Sequence, residues 1–147
     1  MARRELLNDI KAIIEGLGFE ENNSHDTMTY QCNVSYPSLI DHKNDKAHFL
    51  LHTPQGTIQI VAKWQEVNGT TIEKLGHTVL DAVRTEHQKY LVICGGNKLV
   101  RRAIDYLNGH QNIAPKLEAM EVHELEDNLE EHLFEYDCGR NKLLGDL

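Results

Sequence analysis

Ile58-Gln59-Ile60-Val61-Ala62-Lys63-Trp64-Gln65-Glu66-Val67-Asn68-Gly69-Thr70-Thr71-Ile72-Glu73-Lys74-Leu75 changes its period halfway along. In the first half, Ile58, Ile60, Ala62 and Trp64 alternate with Gln59, Val61, Lys63 and Gln65. Alternation with period two is the mark of a strand, with one apolar face for a core and Lys63 and Gln65 together on the other. Asn68-Gly69 is a turn signal. Beyond it Ile72, Leu75, Val79, Leu80 and Val83 recur at helical steps. A strand that delivers a lysine beside a turn and a helix is one way in which active sites are presented. It is equally an ordinary strand–turn–helix with Trp64 in the core.

Upstream, residues 2–17 read as a helix with the apolar stripe Leu6, Leu7, Ile10, Ile13, Ile14 and Leu17. Glu5 lies in its first turn and Gly18 just past its end, as the helix dipole and a left-handed cap favour. Residues 19–27 are polar and read as a loop. Met28, Tyr30, Cys32, Val34 and Tyr36 alternate with polar residues in a half-buried strand that Pro37 ends. After the polar run 41–46, a second strand is expected from Ala47 to Thr53, and Pro54-Gln55-Gly56 turns into the strand that carries Lys63. Short connections between three successive strands predict an antiparallel meander.

Downstream of a helix at 71–85, Tyr90–Cys94 is a continuous apolar run, as in a central strand buried on both faces. Gly95-Gly96-Asn97 breaks it. A helix follows on Leu99, Val100, Ala103, Ile104 and Leu107, closed by Asn108-Gly109. Leu117–Val122 reads as an edge strand. Leu125, Leu129, Leu133 and Phe134 form the inner face of a last, acidic helix, and the tail from Tyr136 has no clear period. The expected architecture is α/β: one domain over residues 1–147, a mixed central sheet flanked by helices, with an acidic C-terminal helix and a short tail.

The whole chain sets further bounds. No apolar run is long enough to span a membrane. Three cysteines, Cys32, Cys94 and Cys138, are odd in number and widely spaced, which predicts a reducing, cytoplasmic setting without a disulfide framework. The net charge is −8, yet Glu118–Asp137 alone holds nine acidic residues and no Lys or Arg, so the remainder carries +1. The acidic block reads as a solvated helix face, or else as a docking surface for a basic partner. A local basic patch of Lys98, Arg101 and Arg102 is the candidate phosphate-binding surface. The nine histidines lack any zinc-type spacing. Gly95-Gly96-Asn97-Lys98 lacks the spacing of a P-loop and reads as a tight turn. Cys94 ends a buried strand and reads as core.

This order of elements resembles the PD-(D/E)XK nuclease superfamily. The likeness rests on Lys63-Trp64-Gln65, Gly69-Thr70, Glu73-Lys74 and Leu91-Val92-Ile93 followed by Gly95-Gly96, and covers roughly residues 3–134. It implies a restriction-endonuclease-like fold, nucleic acid as partner and a homodimer. It also implies a mechanism in which two carboxylates bind Mg²⁺, the ion polarises the scissile phosphate and a water bound to it, and the lysine stabilises the developing charge. By that resemblance Lys63 and Gln65 are the catalytic candidates.

The sequence departs from the family at both metal positions. His48 falls where the family has its aspartate, and Val61 where it has the acidic residue two before the lysine. Valine ligates no metal, and imidazole is a poor ligand for Mg²⁺. Three readings follow. The domain is a degenerate relative that binds DNA, or a nucleic-acid-processing protein, without cutting and without a cofactor. Or it is a nuclease with a rearranged site, with Glu5, His48, Gln65 and Lys63 around Mn²⁺ or a similar divalent ion. Or only the fold is shared, and the protein is an interaction module with an acidic face.

Overall fold

A computed structural model of the chain describes residues 2–65, 70–96 and 100–145. The first helix, α1 (Ala2–Gly16), buries Leu6, Ile10 and Ile14 along one stripe. Its end is a Schellman turn: Phe19 N–H donates to the Ile14 carbonyl and Gly18 N–H to that of Glu15, each at 3.1 Å. Gly18 takes φ +101°, the left-handed conformation that a glycine adopts without steric cost.

The sheet has six strands in chain order: β1 (Glu20–Glu21), β2 (Thr29–Pro37), β3 (Asn44–Thr53), β4 (Gly56–Gln65), β5 (Lys89–Gly96) and β6 (Leu117–Glu121). The expected meander is present, since β2–β3 and β3–β4 are antiparallel. Then the sheet becomes parallel. The helix α2 (Thr70–Val83) carries the chain from β4 to β5, and α3 (Val100–Asn108) from β5 to β6. Two crossovers that step the same way along a sheet, both right-handed, place their helices on one face. The last helix, α4 (Val122–Gly145), joins α1 on the other face.

Two cores result. Ile58, Ile60 and Ala62 of β4 pack with α1 and with Leu125 and Leu129 of α4. Val61 packs with Leu75, Val79 and Ala82 of α2 and with Ala103, Ile104 and Leu107 of α3. Between the two layers β5 is buried on both sides, which is why Leu91, Val92 and Ile93 read as an unbroken apolar run. At the sheet margin the side chain of Asn108 stands in for a further strand. It donates to the Ala119 carbonyl at 3.0 Å and accepts the Ala119 N–H at 2.8 Å. Gln111 donates to the Leu117 carbonyl at 2.8 Å, so the β6 edge is largely capped.

Four expectations change. Residues 19–27 contain β1, parallel to β2, held by Glu20 N–H to the Met28 carbonyl and Asn22 N–H to that of Tyr30. A two-residue strand with both side chains exposed leaves no alternation to read. The α4 helix extends through Gly145, past Tyr136, because a helix propagates on backbone hydrogen bonds without an apolar period. Leu80 and Val83 of α2 face solvent, and the buried stripe runs through Leu75, Val79 and Ala82. Finally, Tyr30 and Tyr36 sit on opposite faces of the sheet. Tyr30 packs under α1 and donates to Glu15, whereas Tyr36 donates to Asp81 of α2. Asn33 lies between them at φ +53°, and a left-handed residue inside a strand turns the chain over. Among the described residues no helix is long and apolar enough to cross a membrane.

Candidate functional site

The β3–β4 ladder runs from Thr53 opposite Gly56 to Phe49 opposite Ile60 and stops there. Two residues further along β4, the Ala62 N–H has no strand carbonyl as partner. The His48 ring fills the gap, with Nδ1 accepting that N–H at 2.8 Å. Ala62 is 1% exposed, so an orphaned amide at this point would cost about 1–3 kcal/mol. The hydrogen bond decides the chemistry of the ring. A neutral imidazole has one N–H, and because Nδ1 accepts, the proton sits on Nε2.

Alternation along β4 places Val61 and Lys63 on the α2–α3 face, either side of the amide that His48 holds. Leu50, two residues after His48, stands opposite Gln59, which faces α2 through its bond to Tyr36. His48 lies where the alternation of β3 breaks: Phe49 and Leu51 pack on the α1 face while Asp45 meets His77 of α2, and the ring between them lies against the Ala62 amide. Val61 is 5% exposed. Lys63 is partly buried beside its register partner Cys94. Burial pushes the Cys94 thiol up to about 12, against the opposing pull of the Lys63 charge, with Glu121 adding to the rise. At neutral pH Cys94 is a thiol and no nucleophile.

The backbone of Gln65 ends β4 opposite Gly96. Its side chain lies outside the described residues, as do the Asn68-Gly69 turn, Lys98 and the side chain of Phe134. Glu5 is on the other side of the sheet. It lines a cleft of about 240 Å³ with Leu6, Asp9, Trp64, Gly95 and Glu121, and Trp64 belongs to the α1 face. Glu5 and Trp64 share the α1 side, and alternation along β4 sends Lys63 to the other. Arg101 is exposed and lies 3.8 Å from Glu121 and 4.0 Å from Asp105, so carboxylates already attend it. Arg102, on the same turn of α3, is exposed. Among the described residues no group of three or more His, Cys, Asp or Glu is arranged to hold a metal ion.

A polar cluster on the α2 face was not anticipated from the sequence. Asp81, 3% exposed, accepts hydrogen bonds from the hydroxyls of Tyr36 and of Tyr90 (2.8 Å) and from Arg84 (3.2 Å). Gln59 donates to the Tyr36 oxygen at 2.9 Å, and Arg84 also donates to the Pro37 carbonyl. Burial pushes the Tyr36 hydroxyl up to about 12 and raises that of Tyr90 further, with the neighbouring carboxylate reinforcing both. The cluster lines a cleft of about 290 Å³. It ties β2, β4, β5 and α2 together with its hydrogen-bonding groups matched donor to acceptor, which marks it as structural. Nearer the candidate site, Asp45 of β3 meets His77 of α2 at 3.0 Å. No spacing rule singles out either constellation, because both join residues more than thirty positions apart in the chain.

Residues 2–133 match the family described as the PD-(D/E)XK nuclease superfamily domain. No curated protein matches the chain.

Proposed function

The chain belongs to the PD-(D/E)XK nuclease superfamily, and on that premise we propose that it is a catalytically degenerate member that binds DNA, or engages a nucleic-acid-processing protein, without cutting. One observation carries the reading: the two positions that supply metal-binding oxygens in the family are here the buried isopropyl group of Val61 and an imidazole committed to a backbone amide.

Mg²⁺ and Mn²⁺ require oxygen or nitrogen lone pairs. Val61 has none. His48 directs its Nδ1 lone pair to Ala62 and carries its proton on Nε2, so neither nitrogen has a lone pair to offer while that bond stands. Glu5 lies across the sheet. These residues do not fit a divalent ion. Lys63 is kept near the C-terminal end of a parallel strand pair, and a lysine is a cation suited to phosphate. Arg102, with Lys98, remains the candidate for peripheral phosphate contact. Cys32 and Cys94 as free thiols support a cytoplasmic setting. A homodimer is the oligomeric state we expect from the family resemblance, and sedimentation velocity tests it.

The functional test is incubation with plasmid and single-stranded DNA in Mg²⁺ and in Mn²⁺. We expect no cleavage and a mobility shift that weakens as salt rises. Cleavage that disappears in Lys63→Ala overturns the reading in favour of a rearranged nuclease. Recovery of a protein partner with no shift moves the function to the partner. The double change His48→Asp with Val61→Glu is expected to create Mg²⁺ binding measurable by calorimetry.

A further inference from the structure

We propose that the stacked rings of His25 and His52 form an acid-sensitive clasp. With both rings neutral it holds the loop 22–28, and with it β1, against the end of β3, and protonation of the pair releases them.

The loop is strained. His25 takes φ +65° and Met28 φ +67°, left-handed conformations that cost a non-glycine residue energy and persist only where neighbouring contacts hold them. Two such contacts end on His52. The Met28 N–H donates to the His52 carbonyl at 2.7 Å. The His25 ring stacks on the His52 ring, with centroids 4.9 Å apart and planes 14° from parallel. The pairing of β1 depends on the same loop, because the Glu20 N–H donates to the Met28 carbonyl at 3.0 Å.

The stack suits neutral rings. Gln31 Oε1, an acceptor only, lies 3.0 Å from His52 Nε2, so that nitrogen carries the proton and acid loads Nδ1. Two imidazolium rings at this separation repel, and the exposed His25 can swing into water. Within the loop Asp26 adjoins His25. On β2 and β4 the side chains beside His52 are the uncharged Gln31 and its register partner Thr57. The Thr57 hydroxyl meets a third imidazole, His87 Nδ1, at 2.7 Å. Burial holds the His52 ring below the usual histidine range, and charge on His25 and on His87 lowers it further. Burial lowers His87 too, with Lys116 adding to the fall and Glu86 and Asp81 opposing it. The folded His52 therefore binds its proton less tightly than the unfolded one. The clasp is complete above pH 6.5, the ordinary histidine value, and is lost as pH falls below it.

The test is amide hydrogen exchange on the full ¹⁵N-labelled chain from about pH 7.5 to about pH 5. Protection factors remove the intrinsic effect of pH on exchange. Protection at Glu20 and Met28 is expected to fall about threefold or more on acidification, while the β4–β5 ladder keeps its own. His25→Phe keeps a ring on the stack and takes away its charge. It should reduce the acid response by about half or more and raise the pH at which the His52 ring titrates by NMR. His52→Gln removes the ring and keeps a donor amide for Gln31, so Met28 should be poorly protected at both ends of the range. Unchanged protection at Glu20 and Met28 in acid overturns the proposal, as does an equal loss in the β4–β5 ladder, which means global unfolding. An undiminished acid response in His25→Phe, or full protection of Met28 in His52→Gln, overturns it as well. Should His52→Gln fail to fold, the wild type and His25→Phe decide.

Discussion

Replacing Asp81 by alanine should destabilise the protein by about 3–5 kcal/mol, the range for breaking a buried charged cluster by removing one partner. The parts can be followed singly. Tyr90 is 3% exposed, and its hydroxyl gives its proton to Asp81, so the change strands a donor at about 1–3 kcal/mol. Tyr36 also loses its acceptor but keeps Gln59 as a donor to its oxygen, which makes its loss smaller. Arg84 is about one third exposed and retains the Pro37 carbonyl, so its share is about 0.5–1 kcal/mol after solvent screening. Urea unfolding measures the sum, followed by the fluorescence of Trp64, the single tryptophan. Asp81→Asn keeps one acceptor oxygen and should cost roughly half as much. Asp81→Ala combined with Tyr90→Phe should cost less than the two separate losses added together, because the stranded hydroxyl is gone. A loss below about 1 kcal/mol for Asp81→Ala, or strict additivity in that pair, would refute the view that this carboxylate anchors the tyrosines.

The same tyrosines make stability fall in alkali. Their hydroxyls lose protons near pH 10 when unfolded and higher when folded, at about 12 for Tyr36, so the unfolded chain releases protons first. Their contribution is complete below about pH 10 and drains away as pH rises toward about 12, and in Tyr90→Phe urea midpoints should fall less steeply over that range. Gly95→Ala would place a Cβ 2.9 Å from the Trp64 ring and 3.2 Å from Leu6, an overpacking cost of about 1–3 kcal/mol readable as a lower melting temperature. Asn108→Ala should cost about 1–2 kcal/mol for two lost hydrogen bonds. By uncapping β6 it should also raise self-association, seen by light scattering.

Much of this architecture can be read from local order along the chain. Alternation along Ile58–Gln65, the apolar run Tyr90–Cys94 and the stripe Leu6–Leu17 each report which residues share a side, and the order of elements then leads to a mixed sheet and to the nuclease superfamily. Local order also placed Lys63 and Val61 on one face and drew attention to His48. It could not give the state of His48, because the Ala62 N–H that fixes its proton lies across a ladder that stops at Phe49. Nor could it separate Glu5 from Lys63, since the side taken by α1 depends on the handedness of two crossovers more than fifty residues downstream. Asp81 reads as one more polar residue on an amphipathic helix until Tyr36 and Tyr90 arrive from β2 and β5. The period of a segment is set by its own backbone geometry and is written in neighbouring residues. The partner of a polar atom is set by strand register, by left-handed residues such as Asn33 and by the side on which each helix docks, and these exist only once the chain has folded.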